Sequence, residues 1–169
     1  MINIDLDDVL TDFNPKCIYE AFKHNINEWD VLTSNCIGRY YDIWALRMSE
    51  NVWKPEIHNL IWDKPLNHDC WHEITDNTEA KICVKNYQKV IPVDSPLIET
   101  DSSFGGLGIY KLSKLGNCIY NGYIYDNLGN IIRSQCEHVA LHHDIKKNGG
   151  RIFICPSLVV KSQKEHLIC

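Results

Sequence analysis

Short β-favouring runs alternate with segments of helical periodicity along this chain, and that alternation narrows its fold more than any other feature. Ile2-Asn3-Ile4-Asp5 is β-favouring and leads directly into Asp5-Leu6-Asp7-Asp8 and Val9-Leu10. It reads as a buried strand that delivers carboxylates at its C-terminal end. Asn14-Pro15 supplies an N-cap and a proline at the first helical position, and Ile18, Phe22 and Ile26 recur at helical spacing over residues 16–27. Val31-Leu32-Thr33 is a second strand, and the segment 40–47 begins a helix or an irregular turn after Gly38. Residues 49–77 are rich in Trp, His, Pro and Asp without a clean period and read as a partly helical loop region. Residues 89–93 read as a strand that Pro92 confines to an edge or terminates. Two glycines, Gly105 and Gly106, turn the chain into β structure over residues 107–112. Asp126, Asn127, Gly129 and Asn130 supply turn chemistry for a hairpin over residues 123–132. Residues 137–148 read as a helix with Val139, Leu141 or His142, and Ile145 inward, closed by Gly149-Gly150. A last strand at 151–155 precedes Pro156. The class is therefore α/β. The close spacing of the β segments between 90 and 132 predicts a mixed sheet flanked by helices.

Composition removes several function classes. The 169 residues carry 17 Lys plus Arg against 22 Asp plus Glu, a net charge of −5. Lys146, Lys147, Lys161 and Lys164 are scattered or only paired, which argues against a nucleic-acid partner, since neutralising many phosphates needs a basic face. At 44% hydrophobic and 23% charged, the chain suits one globular domain with one sizeable core. No stretch approaches the ~20 consecutive apolar residues of a membrane span, and the first residues carry no secretory pattern, so a cytoplasmic location is expected. The eight cysteines are evenly spread and include no Cys-x-x-Cys pair. They read as reduced, mostly buried thiols.

The acidic group at the end of the first strand is the sharpest chemical signal. Carboxylates there are costly to desolvate unless a cation compensates, and a hard metal such as Mg²⁺ or Mn²⁺ suits an all-oxygen donor set. The alternative is a solvated acidic turn. The run Ile4-Asp-Leu-Asp-Asp-Val-Leu-Thr-Asp-Phe13 resembles the first motif of haloacid-dehalogenase-type phosphatases, which implies Asp5 as nucleophile and Asp7 as proton carrier. Val31-Leu-Thr33-Ser34-Asn35 is the candidate for that family's second motif, though it comes early and no later strand ends in paired acids.

A second resemblance covers residues 2 to about 160. Tyr40-Tyr-Asp-Ile-Trp-Ala-Leu-Arg47, Ser103-Phe-Gly-Gly-Leu-Gly-Ile-Tyr-Lys111 and Cys136-Glu-His-Val-Ala-Leu-His142 follow the Asp5-x-Asp7 group in order. Together they resemble a GT-A-type glycosyltransferase family of large DNA viruses and bacteria. The resemblance implies a partial GT-A fold over 1–160, with a polar tail at 161–169. The strand with the Asp-x-Asp motif is normally preceded by a nucleoside-binding portion that this sequence lacks. It further implies transfer of a sugar from a nucleotide-sugar donor to a glycan or glycoprotein acceptor, with Mn²⁺ or Mg²⁺. Asp5 and Asp7 would hold the cation, with Asp8 as a substitute ligand. Gly105 and Gly106 would form the glycine loop against the donor sugar. Glu137 or His138 would serve as base or acceptor-binding group. The family's C-terminal metal-binding histidine has only His166 to correspond to it. A non-catalytic remnant of the same family is the third reading.

Other features carry two readings each. Asp42 and Arg47 either orient the donor or satisfy a buried ion pair. Trp44, Trp53, Trp62 and Trp71 either pack in the core or form a sugar-stacking platform. Cys136-x-His138-x₃-His142 has zinc-compatible spacing but reads as a histidine-rich helix face. His68-Asp-Cys70-Trp-His72 is either a metal-ligating run or, the reading preferred from sequence, a loop around a buried Trp71.

Overall fold

The computed structural model describes residues 1–5, 11, 13–162 and 164–168. Seven strands and four helices follow in the order β1 (Ile2–Ile4), α1 (Lys16–Ala21), β2 (Val31–Ile37), α2 (Pro55–His58), α3 (Asn77–Tyr87), β3 (Ile98–Thr100), β4 (Leu107–Tyr110), β5 (Tyr123–Tyr125), β6 (Ile131–Ser134), α4 (Glu137–Lys147) and β7 (Ile152–Lys161). Five strands form one sheet in the order β1-β4-β2-β7-β3. Only β2 and β7 run parallel; the other neighbours are antiparallel. The sheet is thus mixed, as the spacing of the β segments implies. The hairpin is present as the separate β5-β6 pair.

Successive strand residues face opposite sides of a sheet, and here both sides are covered. Val31, Tyr110 and Ile152 meet Leu141 and Ile145 of α4 on one side. Leu32, Ile109 and Phe153 face the other way into the main core, with Trp29, Tyr40, Leu46, Trp62 and Leu66. Helix α4 carries Glu137 in its first turn and Lys146 and Lys147 in its last, charges that complement the helix dipole. Gly149, at φ +69°, then takes the left-handed position just past its end.

Several expectations need correction. β1 is an edge strand, and Ile2 is 45% exposed, because β1 has a partner only in β4. α1 stops at Ala21 instead of reaching residue 27. Asn25 ends the helical path by accepting the Asn27 N–H and donating to Glu28. Residues 40–47 take the irregular turn of the two forms expected there, whereas the segment 89–93 contributes only a single bridge between Val90 and Arg39. β7 runs well beyond Pro156. The proline has no N–H to give the ladder, so pairing shifts from Ser34–Cys155 to Asn35–Val159. The buried Asn35 amide closes the gap by donating to the carbonyls of Ile91 and Pro156, at 2.9 and 3.1 Å. Cys70 and Cys83 form a disulfide, so the expectation of wholly reduced thiols fails at this pair. Cys17, Cys36, Cys118, Cys136 and Cys155 are free.

Candidate functional site

The end of β1, the turn before Ala45, the start of α4 and the chain's last described residues meet at a cavity of 530 Å³. Asp5 lies there one residue past β1, its N–H donating to the Gly106 carbonyl at 2.9 Å and so continuing the β1-β4 ladder. Asp42, Glu137 and His138 line the same space. Of the candidate residues, then, Asp5, Asp42, Glu137 and His138 converge. Asp7 and its substitute Asp8 lie outside the described residues.

Asp42 is held in place by the turn it closes. Its carboxylate accepts the Ala45 N–H at 3.2 Å and the Gly105 N–H at 3.0 Å. Burial raises its pKa, and the negative charge of Glu137 adds to the effect, against the pull of those two N–H groups. Gly105 needs to be glycine for two reasons: its φ is +70°, and a Cβ would lie 2.5 Å from the Ser34 carbonyl oxygen. The Ser34 hydroxyl donates to the Gly105 carbonyl at 2.8 Å and accepts the Leu107 N–H at 3.2 Å. Gly105 and Gly106 are both buried behind the cavity, and it is Phe104 that lines it. Their function here is to let the turn press against β2 and present the Gly105 N–H to Asp42.

His138 is buried and stacked on Phe104, with ring centroids 3.6 Å apart. Burial pushes its pKa down to about 4, so the ring is neutral near pH 7. The Tyr120 hydroxyl sits 3.1 Å from Glu137 Oε1 and 3.3 Å from His138 Nε2. With Nε2 protonated, His138 donates to Tyr120 and Tyr120 donates to Glu137, one chain that fixes both side chains. Nδ1 of His138 is buried without a hydrogen-bond partner among the described residues. One turn on, His142 is enclosed by Ser102 Oγ at 2.9 Å from Nδ1 and Tyr110 Oη at 3.0 Å from Nε2, and burial lowers its pKa to about 3. Both its nitrogens are committed to the fold.

Arg47 does not join this group. It lies at 3.4 Å from Asp69 and lines a neighbouring cavity of 480 Å³. The two readings of Asp42 and Arg47 therefore separate: Asp42 faces the first cavity, and Arg47 makes an ion pair with a different acid. The tryptophans divide as well. Trp62 is buried in the core, whereas Trp44 and Trp71 are 36% and 38% exposed and form a wall of the first cavity. Trp71 is thus not the buried centre of its loop. Asp69 organises that loop by accepting from Trp44 Nε1 and from the N–H groups of Trp71 and His72.

The segment expected to be a polar tail is docked. Gln88, buried at the end of α3, donates to the His166 carbonyl at 2.6 Å and accepts the Ile168 N–H at 2.8 Å. His166 stacks on Tyr41 and lines the cavity with Glu165 and Ile168. Among the described lining residues there are four carboxylates, Asp5, Asp42, Glu137 and Glu165, and no lysine or arginine. These carboxylates and His166 share one cavity, but among the described residues no three of them bring their ligand atoms within 4.8 Å of one another. Tyr120 and the docking of His166 escape sequence reasoning, because each acts through a partner distant in the chain. Thr33 and Ser34 are buried and turned to other work: Thr33 Oγ1 lies 2.7 Å from Ser103 Oγ, and Ser34 holds the glycine turn. No family model, curated protein or solved structure matches the chain.

Proposed function

We propose that the chain is a metal-dependent glycosyltransferase that moves a sugar from a nucleotide-sugar donor to a glycan or glycoprotein acceptor. The observation that carries this reading is the convergence of Asp5, Asp42, Glu137 and His166 on one cavity with a tryptophan wall. Asp5 and His166, with Asp7 of the same acidic run, would hold Mn²⁺ or Mg²⁺. The cation, when bound, would offset negative charge on the diphosphate that leaves the sugar. Trp44 and Trp71 offer faces on which a sugar ring can stack. Glu137, oriented by Tyr120, is placed to take the proton of the acceptor hydroxyl as that oxygen bonds to the sugar. Neutral His138 backs the Tyr120 hydroxyl through this exchange. Asp42 holds the Gly105 turn and faces the same space, where it can accept hydrogen bonds from sugar hydroxyls.

A phosphatase of the haloacid-dehalogenase type has less support. It needs a hydroxyl and a lysine near Asp5, but Thr33 and Ser34 are occupied elsewhere and no lysine lines the cavity among the described residues. Calorimetric titration with uridine diphosphate, with and without Mn²⁺, tests the transferase reading. Binding should require Mn²⁺ and weaken by about tenfold or more in Asp5→Asn and Asp7→Asn. A folded chain that ignores the nucleotide, or binds it equally well in both variants, overturns the reading; phosphate release abolished by Asp5→Asn would favour the phosphatase.

A further inference from the structure

Behind the tryptophan wall lies a second group of metal-ligating side chains, remote in chemistry from the carboxylates of the cavity. His68 and Cys70 stand two residues apart in the loop before α3, and Cys83 is on α3 itself. Their donor atoms, Nε2 or Nδ1 and two Sγ, all lie within 4.8 Å of one another. Cys70 and Cys83 are joined as a disulfide, and His68 Nε2 is 3.6 Å from Cys83 Sγ. We propose that these three residues form a redox-gated zinc site: oxidised, the cysteines are paired; reduced, both thiolates and His68 bind Zn²⁺.

Geometry supports the assignment. Tetrahedral zinc with bonds of about 2.3 Å to sulfur and about 2.05 Å to nitrogen has S···N edges of about 3.6 Å and S···S edges of about 3.8 Å. The His68–Cys83 separation already equals the first of these. Opening the disulfide lets the two sulfurs move apart to the second. The loop is fixed independently of the disulfide, because Tyr87 Oη donates to the Pro65 carbonyl at 2.8 Å and Trp62 Nε1 donates to the Tyr87 carbonyl at 2.9 Å. Reduction therefore leaves the donors together. His68 and Cys83 are half-buried, which gives the metal a way in and leaves the fourth position to water. Two thiolates and an imidazole select zinc over Mg²⁺ or Mn²⁺, so this site does not compete for the cation of the cavity.

The chemistry balances with a dithiol as reductant. Its two sulfurs pair with each other as its two electrons and two protons pass to the Cys70–Cys83 bond, which breaks to give two thiols. Zinc binding then displaces both protons to solvent. Trp71 follows Cys70, Val84 follows Cys83, and both line the cavity, so the two states place different constraints on one wall of it.

The test uses the full chain, reduced anaerobically, freed of reductant and titrated with Co²⁺, whose thiolate charge-transfer absorption reports sulfur ligation. We expect a saturating band at one equivalent that Zn²⁺ abolishes and Mn²⁺ leaves unchanged. Cys83→Ser should lose the band, and His68→Ala should weaken Co²⁺ binding by about tenfold or more. The oxidised wild-type chain should bind about a hundredfold more weakly, because it lacks both thiolates. That comparison needs no substitution and stands if Cys83→Ser fails to fold. Absence of a thiolate band in the reduced chain overturns the proposal. So does an equal band in the oxidised chain or in folded Cys83→Ser, since the remaining cysteines would then be its source.

Discussion

His138 and His142 set the acid sensitivity of the fold. In an unfolded chain each titrates near 6.5, whereas burial lowers them to about 4 and about 3 in the folded protein. Below the unfolded value the unfolded chain binds protons that the folded chain refuses. Stability is therefore complete above about pH 6.5 and declines as pH falls towards the folded values, with a slope of at most about 1.4 kcal/mol per pH unit for each histidine. Urea midpoints should drop between pH 7 and pH 5. His142→Gln, which cannot titrate, should show a shallower decline whatever its absolute stability; an unchanged slope would remove His142 as the cause. At this scale the sequence was partly legible. Asp5, Glu137 and His138 stand out as ionisable groups at element ends. Tyr120 does not, because its value lies in reaching Glu137, 17 residues away, and no local pattern encodes that contact.

Helix α3 shows how a readable signal can be passed over. Asp76 accepts the N–H groups of Thr78 and Glu79 at 2.8 and 2.9 Å, and Ala80, Val84 and Tyr87 recur at helical spacing on the buried face. These marks sit directly after an aperiodic stretch crowded with tryptophan and histidine, which obscures where the helix begins. Asp76→Ala should cost about 1 kcal/mol, seen as a lower urea midpoint with an unchanged m-value. A neutral result would mean that tertiary packing alone sets the start of the helix. The strand expected at 89–93 has the opposite history. Its β-favouring residues are real, but Val90 is 61% exposed and Pro92 offers no donor, so a ladder gains little there. β7 lengthens because β2 runs on past the bulge and pairs Asn35, Cys36 and Ile37 with Val159, Val160 and Lys161, a partner that local propensity does not reveal.

For the whole molecule, Gln88 joins three distant parts: the end of α3, the turn before Asp42 and the C-terminal segment, through Tyr41, His166 and Ile168. Gln88→Ala removes the hydrogen bonds to the His166 carbonyl and the Ile168 N–H, which should cost about 1 kcal/mol. It should also weaken Mn²⁺-dependent uridine diphosphate binding by releasing His166, with far-UV circular dichroism essentially unchanged. Unaltered affinity would show that His166 has no part in the site. The mixed sheet was legible because hairpin-length spacing forbids parallel crossovers; the strand order was not, because it depends on which edges remain open when each strand arrives. β7 is the last strand in the chain yet lies between β2 and β3. On the ribosome, the earlier strands must wait with two inner edges open until residues 152–161 emerge from the exit tunnel. The central sheet is thus completed only once residues 152–161 have been made, and nascent chains arrested before that point would expose the open edges that holdases have to shield.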